Sequence, residues 1–180
     1  MKRDSGLARA GRFDAFRMAA EGDSLAGEFD ASTLARVVDR LAPGTGPAPI
    51  VWRIAGDHDA FQRPMLSVTI EGSLPLLCQR CLQPFAAPIA QQTGLLLAHD
   101  EAELGLLDAE EAEVVLAAAP IDARTLVEDE VLLSLPFAPR HAEGRCPEGA
   151  VGKRPEAAGA RRTSPFAPLA GLKKRGLRNT

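Results

Sequence analysis

Through the middle of the chain, apolar and polar residues alternate with a period of two. Ile50, Trp52 and Ile54 alternate with Val51, Arg53 and Ala55, and Leu66, Val68 and Ile70 alternate with Ser67, Thr69 and Glu71. That period places the apolar set on one face of a strand. With Gly56-Asp57 as a turn signal between them, the two runs predict an antiparallel hairpin with an extended loop. Leu74, Leu76 and Leu77 predict a further strand that ends at Cys78, and 87–99 predicts its return. Upstream, residues 12–18, anchored by Phe13 and Phe16, predict an edge strand, and 25–29 a second short one. Residues 113–117 predict a last strand.

The period changes to that of a helix in two places. Ser32 stands where an N-cap belongs, and Leu34, Val37, Val38 and Leu41 follow at helical spacing until Pro43-Gly44. Asp122 caps a second helix over 123–135, with Val127, Val131 and Leu135 on one face and Leu126, Leu132 and Leu133 broadening it; Pro136 stops it. Between the last strands, 100–113 is acidic and predicts a loop or irregular excursion. Glu128, Asp129 and Glu130 sit about 100° apart around the second helix and cannot converge on one point. They predict a solvated helix edge, with Glu128 or Asp129 placed to pair with a basic tail. The fold class is α+β: a mainly antiparallel sheet with two principal helices and a flexible basic C-terminal tail.

Charge supplies the tail. The net charge of −3 conceals two opposed blocks. Residues 91–130 hold eleven acids against Arg124 alone, whereas 153–180 hold eight bases against Glu156 alone. Hydrophobic residues make up 46% of the chain, enough for a real core, but aromatics are only 4%, so that core is mostly aliphatic. The expected division is an α+β domain over 1–148 and a basic tail over 149–180. Within the tail, Phe166, Leu169 and Leu172 form a short amphipathic segment before Lys173-Lys174-Arg175. No run approaches the roughly 20 apolar residues of a membrane span, and no secretory signal opens the chain. The expected setting is reducing and cytoplasmic.

The candidate chemistry lies in three cysteines and one histidine. Cys78-Gln79-Arg80-Cys81 ends the strand pattern, and His141 and Cys146 come some 60 residues later. Thiolates two residues apart can turn onto one tetrahedral ion, and His141 and Cys146 would complete the set. Three readings stand: structural zinc on Cys78, Cys81, His141 and Cys146, a redox dithiol of Cys78 and Cys81, or unligated thiols. A redox motif of this kind opens a helix after a strand, whereas here it follows antiparallel strands and precedes Pro84. His58 and His99 read as surface histidines. No Gly-rich phosphate loop, nucleophile elbow or HExxH pair is present, so no enzyme is expected.

Taken in order, these segments resemble the YceD family, the large ribosomal RNA subunit accumulation proteins. The matching residues are Leu25-Ala-Gly-Glu-Phe29, the run from Cys78 to Phe85, Leu126 to Pro136, His141 to Cys146, and Ser164 to Lys174. The resemblance implies a role in synthesis, processing or stability of 23S rRNA and no enzymatic activity. It implies as partner 23S rRNA or a large-subunit assembly intermediate, with a protein partner beside it. The expected phosphate contacts are Arg161, Arg162, Lys173, Lys174, Arg175 and Arg178. The alternative is a zinc-dependent protein-interaction module that does not touch RNA, and a weaker third is a thiol oxidoreductase. The acidic stretch 100–113 and the residues after Lys174 depart from the family's pattern, as does the single cysteine after the second helix.

Overall fold

The computed structural model describes residues 11–110 and 112–147. Strands β2 (Ser24–Asp30), β3 (Pro49–His58), β4 (Pro64–Leu77), β5 (Pro84–Ala98) and β6 (Val114–Leu116) form a sheet in that spatial order. Its first three pairings are antiparallel, and β6 lies parallel to β5. A separate two-stranded pairing joins β1 (Arg12–Phe13) to β7 (Ile121–Asp122). Three α-helices accompany the strands: α1 (Ala15–Glu21), α2 (Glu101–Asp108) and α3 (Ala123–Ser134). The α+β class and the mostly antiparallel sheet agree with the sequence pattern.

The alternation sets the core. Ile50, Trp52 and Ile54 of β3, Leu66, Val68, Ile70, Leu74 and Leu76 of β4, and Ala87, Ile89 and Leu95 of β5 are all buried. The register aligns them on one face: Trp52 opposes Ile70, and Ile54 opposes Val68. Onto this face pack α1 through Ala15, Met18 and Ala19, and α3 through Ala123, Leu126, Val127 and Val131. Gly56 permits the approach of α1, because a Cβ there would meet the Met18 carbonyl oxygen at 2.1 Å. Residues 74–78, read from sequence as a separate strand, are instead the end of β4 and the tip beyond it.

Three other expectations need correction. The edge strand over 12–18 is cut to two residues. Asp14 accepts a hydrogen bond from the Arg17 N–H at 3.0 Å and so caps α1, whose buried positions follow helical spacing. The helix expected behind Ser32 is two short 3₁₀ turns, Ala31–Thr33 and Val38–Arg40. The cap is Asp30, and the Arg36 N–H donates to the Glu128 carboxylate at 2.6 Å, so it is lost to any helical ladder. The acidic excursion contains α2. A strand parallel to β5 needs a crossover connection, and Asp100 caps a helix there by accepting from the Glu103 N–H at 2.8 Å. Glu101 and Glu103 in the first turn suit the positive end of the helix dipole. The helices therefore number three among the described residues, not two. The tail and its boundary at 148 lie outside the described residues.

The acidic run on α3 is not a solvated edge. Glu128 is 8% exposed and Glu130 3%. Arg36 binds Glu128 at 3.3 Å and Asp129 at 2.6 Å, so their partner among the described residues is this arginine. Arg124 donates to the Thr33 carbonyl and hydroxyl oxygens, so α3 holds the 3₁₀ segment at two points. Glu130 turns inward. Burial raises its carboxyl above the ordinary range, a hydrogen bond with the Thr93 side chain opposes this, and the charges of Glu113 and Asp129 add to the rise.

Two predictions follow from α3. Glu128→Ala should cost roughly 1–3 kcal/mol, because it leaves a part-buried backbone N–H and a guanidinium short of a charged acceptor. Asp129→Ala, at a half-exposed pair, should cost about 1 kcal/mol or less. Urea unfolding of both variants measures the difference. For Glu130, a raised folded pKa means that the folded state keeps a proton the unfolded state has lost. The Glu130 contribution is therefore fully present below the ordinary carboxyl value and is lost as pH rises through the folded value. Glu130→Gln should be more stable than the parent at neutral pH, and that advantage should vanish in acid.

Candidate metal centre

The long β4–β5 hairpin ends in a tip over 78–83. The Cys78 N–H donates to the Gln83 carbonyl at 3.0 Å, and the Leu82 N–H donates to the Cys78 carbonyl at 2.8 Å. Leu82 closes the tip at φ 58°, a left-handed conformation that costs a residue with a Cβ about 1–2 kcal/mol. Both thiols of the tip point inward: Cys78 is fully buried and Cys81 is 3% exposed.

The second half of the site arrives from α3. Pro136 follows the end of the helix, and the chain runs back over 137–147 toward the tip. The Gln79 N–H donates to the Pro139 carbonyl at 2.8 Å, which ties the two segments together. The His141 ring lies on Phe85, centroids 4.8 Å apart. Gly144, at φ 72°, turns the chain so that the Arg145 N–H reaches the Ala142 carbonyl at 3.0 Å and Cys146 returns to the cluster.

The ligand atoms of Cys78, Cys81, His141 and Cys146 all lie within 4.8 Å of one another. The two sulfurs of Cys78 and Cys146 are 3.8 Å apart. His141 Nδ1 is 3.4 Å from the Cys81 sulfur and 3.7 Å from that of Cys146. A tetrahedral ion with metal–sulfur bonds of about 2.3 Å and metal–nitrogen bonds of about 2.0–2.1 Å requires sulfur–sulfur spacings of about 3.8 Å and sulfur–nitrogen spacings of about 3.6 Å. These three spacings match, and the full set lies within the looser bound of 4.8 Å. The arrangement can hold a metal such as zinc, with His141 binding through Nδ1.

The electrostatics favour a thiolate at Cys78 and oppose one at Cys81. Burial pushes the Cys78 thiol up, but hydrogen bonds from the backbone N–H groups of His141, Arg80 and Cys81, and from the His141 side chain, override it and bring the thiol down to about 5. Cys81 is pushed up, first by burial and further by its hydrogen bonds with Cys146 and Cys78. Arg80 Nε donates to the Cys146 sulfur at 3.0 Å, and the same guanidinium reaches the Ala142 carbonyl at 3.5 Å. The arginine inside the CxxC motif would therefore offset part of the charge of the thiolates that a bound metal requires. Sequence reasoning gave Arg80 no role; its only signal was its position between two ligands.

The remaining candidates lie elsewhere. His58 is exposed at the end of β3. His99 stacks on Phe16 at 3.8 Å and meets Glu103 at 2.9 Å, on the α2 side of the sheet. Arg161, Arg162, Lys173, Lys174, Arg175 and Arg178 lie outside the described residues. No helix among the described residues is long and apolar enough to cross a membrane.

Cobalt(II) added to the metal-free protein should bind one per chain and give the absorption of a tetrahedral thiolate centre. Cys146→Ser or His141→Ala should weaken the bands. Cys78, already a thiolate at neutral pH, should release no proton on binding, so a pH-stat titration should find fewer protons than the three thiols could supply.

No solved structure matches the chain. Residues 66–173 match the family described as "Large ribosomal RNA subunit accumulation protein YceD". The match starts at the third residue of β4 and takes in the hairpin tip, α3 and all four residues of the metal centre. It covers more than half of the chain, which therefore belongs to the YceD family.

Proposed function

We propose that this protein is a non-catalytic factor that supports synthesis, processing or stability of 23S rRNA, and with it accumulation of the large ribosomal subunit in the cytoplasm. The observation that carries this reading is membership of a family described by large ribosomal RNA subunit accumulation. Zinc in the Cys78, Cys81, His141 and Cys146 cluster acts structurally, clamping the hairpin tip to the segment that follows α3. The donor set supports a closed site. Three sulfurs and one nitrogen fill a tetrahedron and leave no open position for a substrate. A dithiol redox role is less well supported, because the tip returns directly into β5 rather than opening a helix.

The RNA contact falls to Arg161, Arg162, Lys173, Lys174, Arg175 and Arg178. If these six bases meet phosphates of single-stranded rRNA, the logarithm of the binding constant should fall with the logarithm of salt with a slope of roughly −4. Replacing all six with glutamine should flatten that slope; equal binding by both proteins at two salt concentrations overturns the assignment of the contact. In cells lacking the protein, sedimentation should show a deficit of large subunits, and a normal particle profile overturns the function.

Cys81→Ser should lower zinc content and thermal stability together, since binding a structural ion contributes directly to folding. A zinc-dependent protein-interaction module without RNA contact is the second reading. It is favoured by the apolar groove beside the metal centre, lined by Leu41, Leu76, Leu77, Leu132 and Leu135. Stoichiometric zinc with no RNA affinity selects it.

A further inference from the structure

A groove of about 590 Å³ lies between the second 3₁₀ turn, the end of β4 and the exit of α3. Its floor is Leu76, Leu77, Leu132 and Leu135, and Phe137 stands at its rim fully exposed. A phenylalanine with no cover beside an apolar floor is costly in water. An aromatic ring left in water next to a leucine floor gains from any apolar segment that covers both.

We infer that residues 165–172 of this same chain occupy the groove, with Phe166, Leu169 and Leu172 as the anchors. Four observations converge on that occupant. The described chain ends at Pro147, next to Cys146, and the centre that holds Cys146 shares Gln79 and Pro139 with the groove wall. The chain therefore leaves the domain beside the groove. Length is no obstacle: from Pro147 to Phe166 is 19 residues, which span up to about 60 Å extended and about 25 Å as a coil. Chemistry matches as well. Phe166, Leu169 and Leu172 are three large apolar residues in seven, as a floor of leucines requires, while Asp39 and Arg40 on the groove wall balance each other in charge. Finally, the region shared with the family runs past the metal centre to residue 173, so it takes in both the floor of the groove and all three anchors.

Tethering makes the contact affordable energetically. A short linker holds its end at an effective concentration on the order of millimolar, so three small apolar contacts suffice where a free peptide would bind weakly. The inference does not rest on the ribosomal role, since every contact in it lies within one chain.

The test uses the full-length protein without RNA. A photo-crosslinking residue, p-benzoylphenylalanine, replaces Phe137, whose exposure makes the change harmless to folding. Irradiation should join position 137 to residues 164–173 of the same molecule, with a yield that persists on dilution and is lost in the Leu169→Asp variant. In parallel, amide hydrogen exchange over 132–137 should rise severalfold in Phe166→Ser, while Val127 and Val131 stay protected and report an intact fold. Cross-links only between molecules, cross-links only within 11–147, or unchanged exchange in Phe166→Ser would each overturn the inference.

Discussion

The register of the β4–β5 hairpin governs the rest of the molecule. Thirteen consecutive pairs, from Met65 opposite Leu96 to Leu77 opposite Pro84, fix the tip relative to the core. Because side chains alternate, a slip of one residue would turn Leu66, Val68, Ile70, Leu74 and Leu76 to solvent together. The buried face that α1 and α3 cover holds the register with a penalty for every one of those residues. The same register carries Cys78 to the end of the buried face, where it meets the segment that α3 delivers. The candidate metal centre is thus an extension of the core's alternation rather than a separate device.

α3 is the second fixed point, and it connects local chemistry to long-range position. Its apolar face packs on the sheet, its cap is the last residue of β7, and its acids take hold of Arg36. An element with three sets of partners has little freedom to rotate, and the direction in which 137–147 leaves it is correspondingly defined. His141 and Cys146 reach the tip because the helix that precedes them is held on several sides.

Most of the sheet was legible because its strands obey a period of two, and α3 was legible because Asp122, the apolar face and Pro136 agree with one another. The metal cluster was legible from residue types and spacing, although only the fold brings the halves together across some 60 residues. What could not be read was decided by distant partners. The turn after β2 starts at a local cap, Asp30, but is kept from becoming a helix by the pull of Glu128 on the Arg36 N–H, which no local pattern shows. α2 was hidden because an acidic run reads as a solvated loop, and its helix reflects the demand of a parallel strand pair. Glu128 and Glu130 were read as surface because charge is the stronger local signal, yet one is paired and the other lies against Thr93.

The separation of the two halves of the cluster has a consequence for synthesis. Chains emerge from the N-terminus at about 5–20 residues per second, so the tip cysteines are made about 3–13 seconds before Cys146. During that interval a growing chain carries a bare dithiol that no third sulfur or imidazole has yet closed. A two-thiol site holds an ion loosely, so nascent protein is at its most vulnerable to oxidation, and to capture of the wrong ion, before α3 has been made. Completion of the cluster marks the point at which the polypeptide is long enough to protect its own cysteines.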